Sequence, residues 1–159
     1  MAVTSGSCRF GLRSVRVEWS GNTVYRVQFA PTGIPGDVPG PIRQFCAGRP
    51  TDLSVLDAPT LHGDETYPRI YRAVRAIPYG STATYGEIAE SASTHPRVVG
   101  QAMARNPVPL VVPCHRVVAA DGIGGFSPDI AIKEELLAME RKAVRKLQLD
   151  SRTNRSGTQ

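Results

Sequence analysis

The sequence of 159 residues predicts an α+β fold, in which a small β-rich N-terminal domain precedes an α-helical C-terminal domain. Apolar and polar residues alternate around Val17 and again around Val27, a period of two that is typical of strands. From Tyr67 onward the apolar residues recur every three or four positions, as they do in helices. We therefore expect residues 1–65 to form the N-terminal domain and linker, residues 66–148 the C-terminal domain, and residues 149–159 a polar tail.

The N-terminal half is predicted to contain a hairpin, loops and one short helix. Ser20-Gly21-Asn22 is a turn signal between the two alternating runs. Residues 31–41 are rich in Pro and Gly and should form a loop, residues 42–47 a short helix, and residues 57–64 a linker.

The C-terminal half is predicted to begin with three helices, of which the first belongs to the helical pattern that starts at Tyr67. Thr84 followed by Glu87 is a capping box, so a helix should cover residues 85–91. Pro96 is placed to open the next helix, residues 97–105. Two short helices joined by a tight turn match a helix-turn-helix in outline, although packed helix pairs are common in any helical domain.

The segment after these helices contains two apolar runs, Leu110-Val111-Val112 and Val117-Val118, which are predicted to be extended. They flank Pro113-Cys114-His115-Arg116. Ser127-Pro128-Asp129 should then start a last helix that reaches about Leu147.

Charge and cysteine content narrow the function classes. The formal charge is +5, and the basic excess lies beyond Glu65, which suggests either a polyanionic partner such as DNA or a solvated basic surface. Three cysteines without CxxC spacing fit neither a secreted disulfide scaffold nor a structural zinc site. With no apolar run long enough to span a bilayer and no signal-peptide pattern, we expect an intracellular protein.

Cys114 is a candidate nucleophile because it directly precedes His115, a possible base, and Arg116, a positive charge. A buried structural cysteine is about equally probable from these features alone. Glu140 lies at the edge of the apolar stripe of the last helix and needs a partner, since an unpaired buried charge is costly. That partner is either His115, which it would orient as a base, or an arginine in an ordinary salt bridge.

A longer series of motifs resembles the O6-alkylguanine-DNA alkyltransferase family. The residues from about Ile70 to Glu140 match it in the family order, which makes the resemblance highly specific. The matching motifs are Ile77-Pro78-Tyr79-Gly80, Thr84-Tyr85-Gly86-Glu87-Ile88-Ala89, Arg97-Val98-Val99-Gly100-Gln101-Ala102-Met103, Asn106 through PCHR to Val118, Gly124-Gly125-Phe126-Ser127, Lys133-Glu134 and Leu136-Leu137-Ala138-Met139-Glu140.

The resemblance implies a DNA repair protein that flips out O6-alkylguanine and transfers the alkyl group irreversibly to Cys114. It implies that His115 deprotonates Cys114 through a water molecule and that Glu140 orients His115. Tyr85 would stabilise the leaving guanine and contact DNA, and Asn106 would brace the turn before the active-site segment. O4-alkylthymine is left open as a second substrate.

The resemblance also implies a DNA interface and a base pocket. Arg97 would be a finger that fills the space of the flipped nucleotide, and further DNA contacts are expected from Gly100, Ala102, Arg105 and Arg116. The guanine pocket would be lined by Met103, Pro109, Val117, Phe126 and Ser127.

Some expectations come from the family as a whole. The N-terminal half matches it only in outline, as a β-rich domain of ribonuclease-H-like topology, and Phe126 stands where many members have Tyr. We expect double-stranded DNA carrying O6-alkylguanine as partner, no membrane, no cofactor, no metal, a monomer in solution, and a cytoplasmic location, nucleoid-associated in a prokaryote. The rival hypotheses are a Cys-His hydrolase, a non-catalytic alkyltransferase-like protein and a helix-turn-helix regulator.

Overall fold

The computed structural model describes residues 2–156 and contains both strands and helices, which confirms the α+β class. The elements follow in the order β1 (Thr4–Phe10), β2 (Arg13–Ser20), β3 (Thr23–Ala30), α1 (Gly40–Cys46), α2 (Thr66–Arg75), β4 (Ala83–Thr84), α3 (Tyr85–Ser91), α4 (Pro96–Ala104), β5 (Val117–Val118) and α5 (Ile130–Ser156). Short 3-10 helices lie at Leu53–Val55, Pro59–Leu61 and Cys114–Arg116.

The first three strands form an antiparallel sheet in the order β1-β2-β3. The predicted hairpin is β2–β3, and Val15 and Val17 on its inner face are fully or almost fully buried. Strand β1 was not predicted, because Gly6 and the small polar residues around it interrupt any apolar alternation. The loop after β3 covers the free edge of β1, where a Cβ on Gly6 would lie only 2.0 Å from the Asp37 carbonyl oxygen.

The predicted helix signals of the C-terminal half are confirmed. The Thr84 hydroxyl accepts from the Glu87 amide and the Glu87 carboxylate from the Thr84 amide, both at 3.1 Å, so α3 has a full capping box. Pro96 is the first residue of α4. His95 caps that helix, because its Nδ1 accepts from the Arg97 amide.

The predicted extended run at Leu110 is wrong. Leu110 has a φ of +76°, in the left-handed region, and the chain turns there instead of forming a strand. Asn106 braces this turn, since its Oδ1 accepts from the Val108 amide and its Nδ2 donates to the Val112 carbonyl, both at 3.0 Å. Cys114 and His115 then lie in a 3-10 helix, followed by β5, which pairs in parallel with β4.

The last helix continues to Ser156, well beyond the predicted end near Leu147, so the expected polar tail is helical up to that residue. Residues 157–159 of that tail lie outside the described part of the chain. One buried core includes residues from both halves, and the proposed domain boundary stays a prediction, as does the ribonuclease-H-like topology. Within residues 2–156, no helix has the length and apolar content needed to cross a membrane.

Replacing Thr84 by Ala should destabilise the protein by about 1 kcal/mol, because the side chain that caps α3 is lost. Urea denaturation followed by circular dichroism measures this change. Thr82→Ala, a matched change at an exposed position just before the cap, should have little effect. Equal losses for the two variants would contradict a capping contribution from Thr84.

Candidate active site and nucleic-acid interface

A cavity of about 470 Å³ contains Cys114 in its lining, a volume suited to a small organic group. Four of the predicted pocket residues also line it, namely Met103, Pro109, Phe126 and Ser127. Val117, the fifth predicted pocket residue, is fully buried in the core and is not part of this lining, so its place in the guanine pocket stays a prediction. The sequence interpretation missed the wall formed by Val27, Gln28 and Phe29 of β3.

The Cys114 thiol is buried, with 7% of the residue exposed. Burial raises the pKa of Cys114 above its ordinary value, although a hydrogen bond from the Asn106 side chain and the charge of Lys133 favour the thiolate. The net upward direction means that the resting group is a thiol at neutral pH. A nucleophilic role for Cys114 therefore requires a base nearby.

His115 and Arg116 both bind the carboxylate of Glu140. His115 Nε2 lies 2.5 Å from Glu140 Oε2, and Arg116 Nε lies 2.9 Å from Oε1. The Gly80 amide donates to the same Oε1 at 2.8 Å. The sequence left open whether Glu140 pairs with His115 or with an arginine, and the structure has both contacts. Burial raises the pKa of Glu140, but the hydrogen bonds from His115 and Arg116 and the positive charge of Arg116 outweigh burial and lower the pKa to about 2.

His115 is suited to act as a base because its imidazole is neutral. Burial lowers the pKa of His115 more than the bond to Glu140 raises it. With Nε2–H assigned as the donor to Glu140, Nδ1 is the acceptor nitrogen. Nδ1 is buried and has no hydrogen-bond partner among residues 2–156, so its lone pair is available.

Lys133 is a buried cation close to Cys114. Its Nζ donates to the carbonyl oxygens of Val117 at 2.6 Å and Gly125 at 3.1 Å, which ties the loop after β5 to helix α5. Burial lowers the pKa of Lys133 to about 8, and the Cys114 thiolate would raise it. A lysine within the apolar stripe of α5, next to Ile132, was the available sequence signal for this arrangement.

Tyr85, at the start of α3, lines the cavity on the side of the same loop. Its hydroxyl bonds to the backbone of Gly125, and burial raises the pKa of Tyr85 above its ordinary value. The phenol therefore stays protonated at neutral pH and can donate a hydrogen bond into the cavity.

Helix α4 borders the mouth of the cavity. Arg97, Gln101 and Arg105 are exposed, whereas Gly100 and Ala104 both belong to the cavity lining. A Cβ at Gly100 would meet no atom within 4 Å, so the space beside this helix is open.

Two predicted DNA contacts are wrong. Ala102 lies on the opposite face of α4, fully buried, and its carbonyl accepts the Tyr71 hydroxyl at 2.9 Å. Arg116 is buried by its bonds to Glu140 and to the Ile77 carbonyl, at 3.0 Å for the latter. Its charge neutralises a carboxylate inside the protein and is not available to phosphates.

The other two cysteines lie away from this site. Cys8 on β1 and Cys46 at the end of α1 are buried and hydrogen-bonded to each other, a bond that lowers the pKa of Cys8 and raises that of Cys46. Neither lines the cavity that contains Cys114.

Fold and site together define a cysteine-dependent protein whose thiol lies beside a buried imidazole–carboxylate pair and next to a helix pair. Residues 65–142 match the family model described as 6-O-methylguanine DNA methyltransferase, DNA binding domain. A Methanopyrus kandleri methylated-DNA--protein-cysteine methyltransferase is 48% identical over 100 residues, covering 62% of this chain and 75% of the relative. The chain belongs to the methylated-DNA--protein-cysteine methyltransferase family.

Solved structures of the family share the fold. The Mycobacterium tuberculosis O6-methylguanine methyltransferase matches with a TM-score of 0.70 and 27% identity, covering 89% of this chain and 94% of that one. A structure of the M. tuberculosis protein in complex with DNA matches with a TM-score of 0.68 and 27% identity, covering 86% and 92%.

Replacing Glu140 by Gln should destabilise the protein at pH 7 by about 3–5 kcal/mol, because Arg116 loses its buried counter-charge. The folded-state pKa of about 2 lies below the ordinary 4.5, so the carboxylate stabilises the fold above pH 4.5 and progressively less as the pH falls toward 2. The stability difference between the two proteins, measured by urea denaturation, should therefore narrow as the pH falls through this range.

Glu135→Gln is the matched control, since Glu135 lies on the same helix as Glu140 and forms an exposed salt bridge with Arg13 of β2. It should change the stability by less than about 1 kcal/mol. A constant difference between wild type and Glu140→Gln at all pH values would contradict the buried ion pair.

Proposed function

We propose that this protein repairs double-stranded DNA by transferring the alkyl group of a flipped-out O6-alkylguanine, once and irreversibly, to Cys114. One observation carries the proposal: the Cys114 thiol lines a cavity that is also lined by Gly100 and Ala104 of α4, about one and two turns after the exposed Arg97. A chemical group that enters the cavity from the side of α4 therefore reaches the thiol. Membership of the methyltransferase family indicates the class of reaction.

The proton of Cys114 leaves by way of His115. A water molecule between the thiol and Nδ1 of His115 carries the proton, because Nδ1 is the acceptor nitrogen and has no other partner in the described chain. Glu140 holds the imidazole through Nε2 and stabilises the imidazolium that forms. Thiolate formation overcomes the raised pKa of Cys114 only while base and lesion are both in place.

The transfer itself is an in-line displacement. The sulfur of Cys114 forms a bond to the alkyl carbon, the carbon–O6 bond breaks, and its electron pair goes to the guanine. Tyr85 donates a hydrogen bond to the departing base, and the proton held by His115 returns through water to neutralise it. The products are a thioether on Cys114 and unmodified guanine.

DNA binding is assigned to the helix-turn-helix formed by α3 and α4. The lesion has to leave the base stack, since a thiol within a cavity cannot reach it in a closed duplex. Arg97, exposed at the start of α4, occupies the space that the nucleotide vacates, and Arg105 contacts phosphate at the other end. O4-alkylthymine would enter by the same route. A monomer acting on DNA in the cytoplasm or nucleoid suits this chemistry.

Cys114→Ser should abolish alkyl transfer and leave DNA affinity within about twofold, because the thiol contributes nucleophilicity and little surface. Intact mass after incubation with a duplex containing O6-methylguanine should show one methyl group per wild-type chain at saturation and none on the variant. Cys8→Ser is the control and should still accept one methyl group. Sustained turnover by unmodified protein, or methylation of Cys114→Ser at a comparable rate, would contradict the mechanism.

Arg97→Ala should slow transfer from duplex DNA by about 10- to 100-fold, because flipping costs a few kcal/mol and the side chain offsets part of it. Transfer from the free base O6-benzylguanine, which needs no flipping, should change little. Single-turnover rates on the two substrates test this, with Arg69→Ala, an exposed arginine of α2, as the control. Equal losses on duplex and free base would show that Arg97 is not the finger.

A further inference from the structure

Strand β3 forms part of the cavity that contains Cys114, although it belongs to the N-terminal sheet. Val27, Gln28 and Phe29 line the cavity together with Met103 and Phe126 of the C-terminal half. The amide of Val27 donates to the carbonyl of Pro107 at 3.0 Å, which fixes the strand against the segment that leads to Cys114. The distance between this wall and the thiol is therefore set by a backbone bond between the two halves.

An aromatic row runs from the sheet into the cavity. The ring of Phe10 packs edge-on against Phe29 with centroids 6.4 Å apart, and Phe29 packs in the same manner against Phe126 at 6.0 Å. Phe29 and Phe126 line the cavity, whereas Phe10 does not. Phe29 thus connects a core residue to a residue of the loop after β5.

Among the larger apolar side chains of the lining, Phe29 is the one with the least freedom to move. Met103 is half-buried and has a flexible unbranched side chain, and Phe126 lies half-buried on a loop next to Gly125. Phe29 is only 7% exposed and lies on β3 opposite Val15 of the central strand β2, which is fully buried. When a bulky group enters, Met103 and Phe126 can adjust, but Phe29 would have to displace the sheet.

We propose that Phe29 is a specificity-determining residue that limits the size of the alkyl group transferred to Cys114. This inference rests on the proposed alkyl transfer. It places the residue that limits the size of the alkyl group on the N-terminal sheet. A small group such as methyl needs none of the space that Phe29 occupies. A benzyl group presses against the aromatic wall, so its transfer is slower than the intrinsic reactivity of a benzyl carbon would allow.

The experiment uses the full chain and measures single-turnover rates on duplexes that contain O6-methylguanine or O6-benzylguanine. Phe29→Leu should raise the ratio of benzyl to methyl rates by at least about fivefold, the scale of a one- or two-carbon change in an apolar pocket. Phe10→Leu is the matched control: it removes a similarly buried ring from β1, the opposite edge strand of the sheet, and Phe10 is not part of the lining, so the ratio should stay within about twofold.

If Phe29→Leu does not fold, Phe29→Met tests the same position, because the flexible Met side chain keeps the site filled but can move aside, and it should raise the ratio in the same direction. Where Phe29→Leu, Phe126→Leu and their double variant all fold, their effects should be non-additive, since the two rings contact each other. An unchanged ratio in Phe29→Leu or its substitute, with both rates lowered equally, would overturn the size limit and leave the transfer function intact. Absence of transfer from both duplexes by the wild type would instead overturn the proposed function.

Discussion

Glu140 carries a negative charge in the interior of the protein, with no solvent exposure, and its position depends on partners from two other segments of the chain. His115 and Arg116 come from the 3-10 helix beside β5, the Gly80 amide from the segment before α3, and Glu140 itself from α5. A buried carboxylate without these partners would destabilise the folded protein. The fold therefore requires that these segments pack together. The same bonds hold the imidazole beside Cys114.

The same contacts hold both the buried core and the side chains of the candidate site. Arg116 keeps Glu140 ionised, and the ionised Glu140 fixes the tautomer and orientation of His115. Asn106 and Lys133 both favour the Cys114 thiolate, and each also binds backbone, Asn106 in the turn after α4 and Lys133 in the loop that carries Phe126. Each of these polar groups shapes the backbone and also adjusts the pKa of a reacting group.

Features encoded by short-range patterns could be predicted from the sequence. The capping box of Thr84 and Glu87, the helix start at Pro96 and the turn at Gly21 depend on neighbouring residues alone, and the structure has all three. The left-handed Leu110 could not be predicted by pattern, because the bonds of Asn106 impose that conformation on an apolar β-branched run. Ala102 was assigned to the wrong face of α4, since small size alone does not separate a core contact from a DNA contact.

The sequence indicated the polar groups of the candidate site better than its walls. The motifs single out Cys114, His115 and Glu140, and the structure has the contact between His115 and Glu140. Phe29 is an ordinary apolar residue, and only the packing of the sheet places it in the cavity lining. For Arg116 the residue type was misleading. Its positive charge suggested a contact with DNA phosphate, whereas its partner in the structure is the carboxylate of Glu140, 24 residues away. A residue type thus indicates which interactions are possible, and only the tertiary packing decides whether a group faces the ligand, the core or another charge.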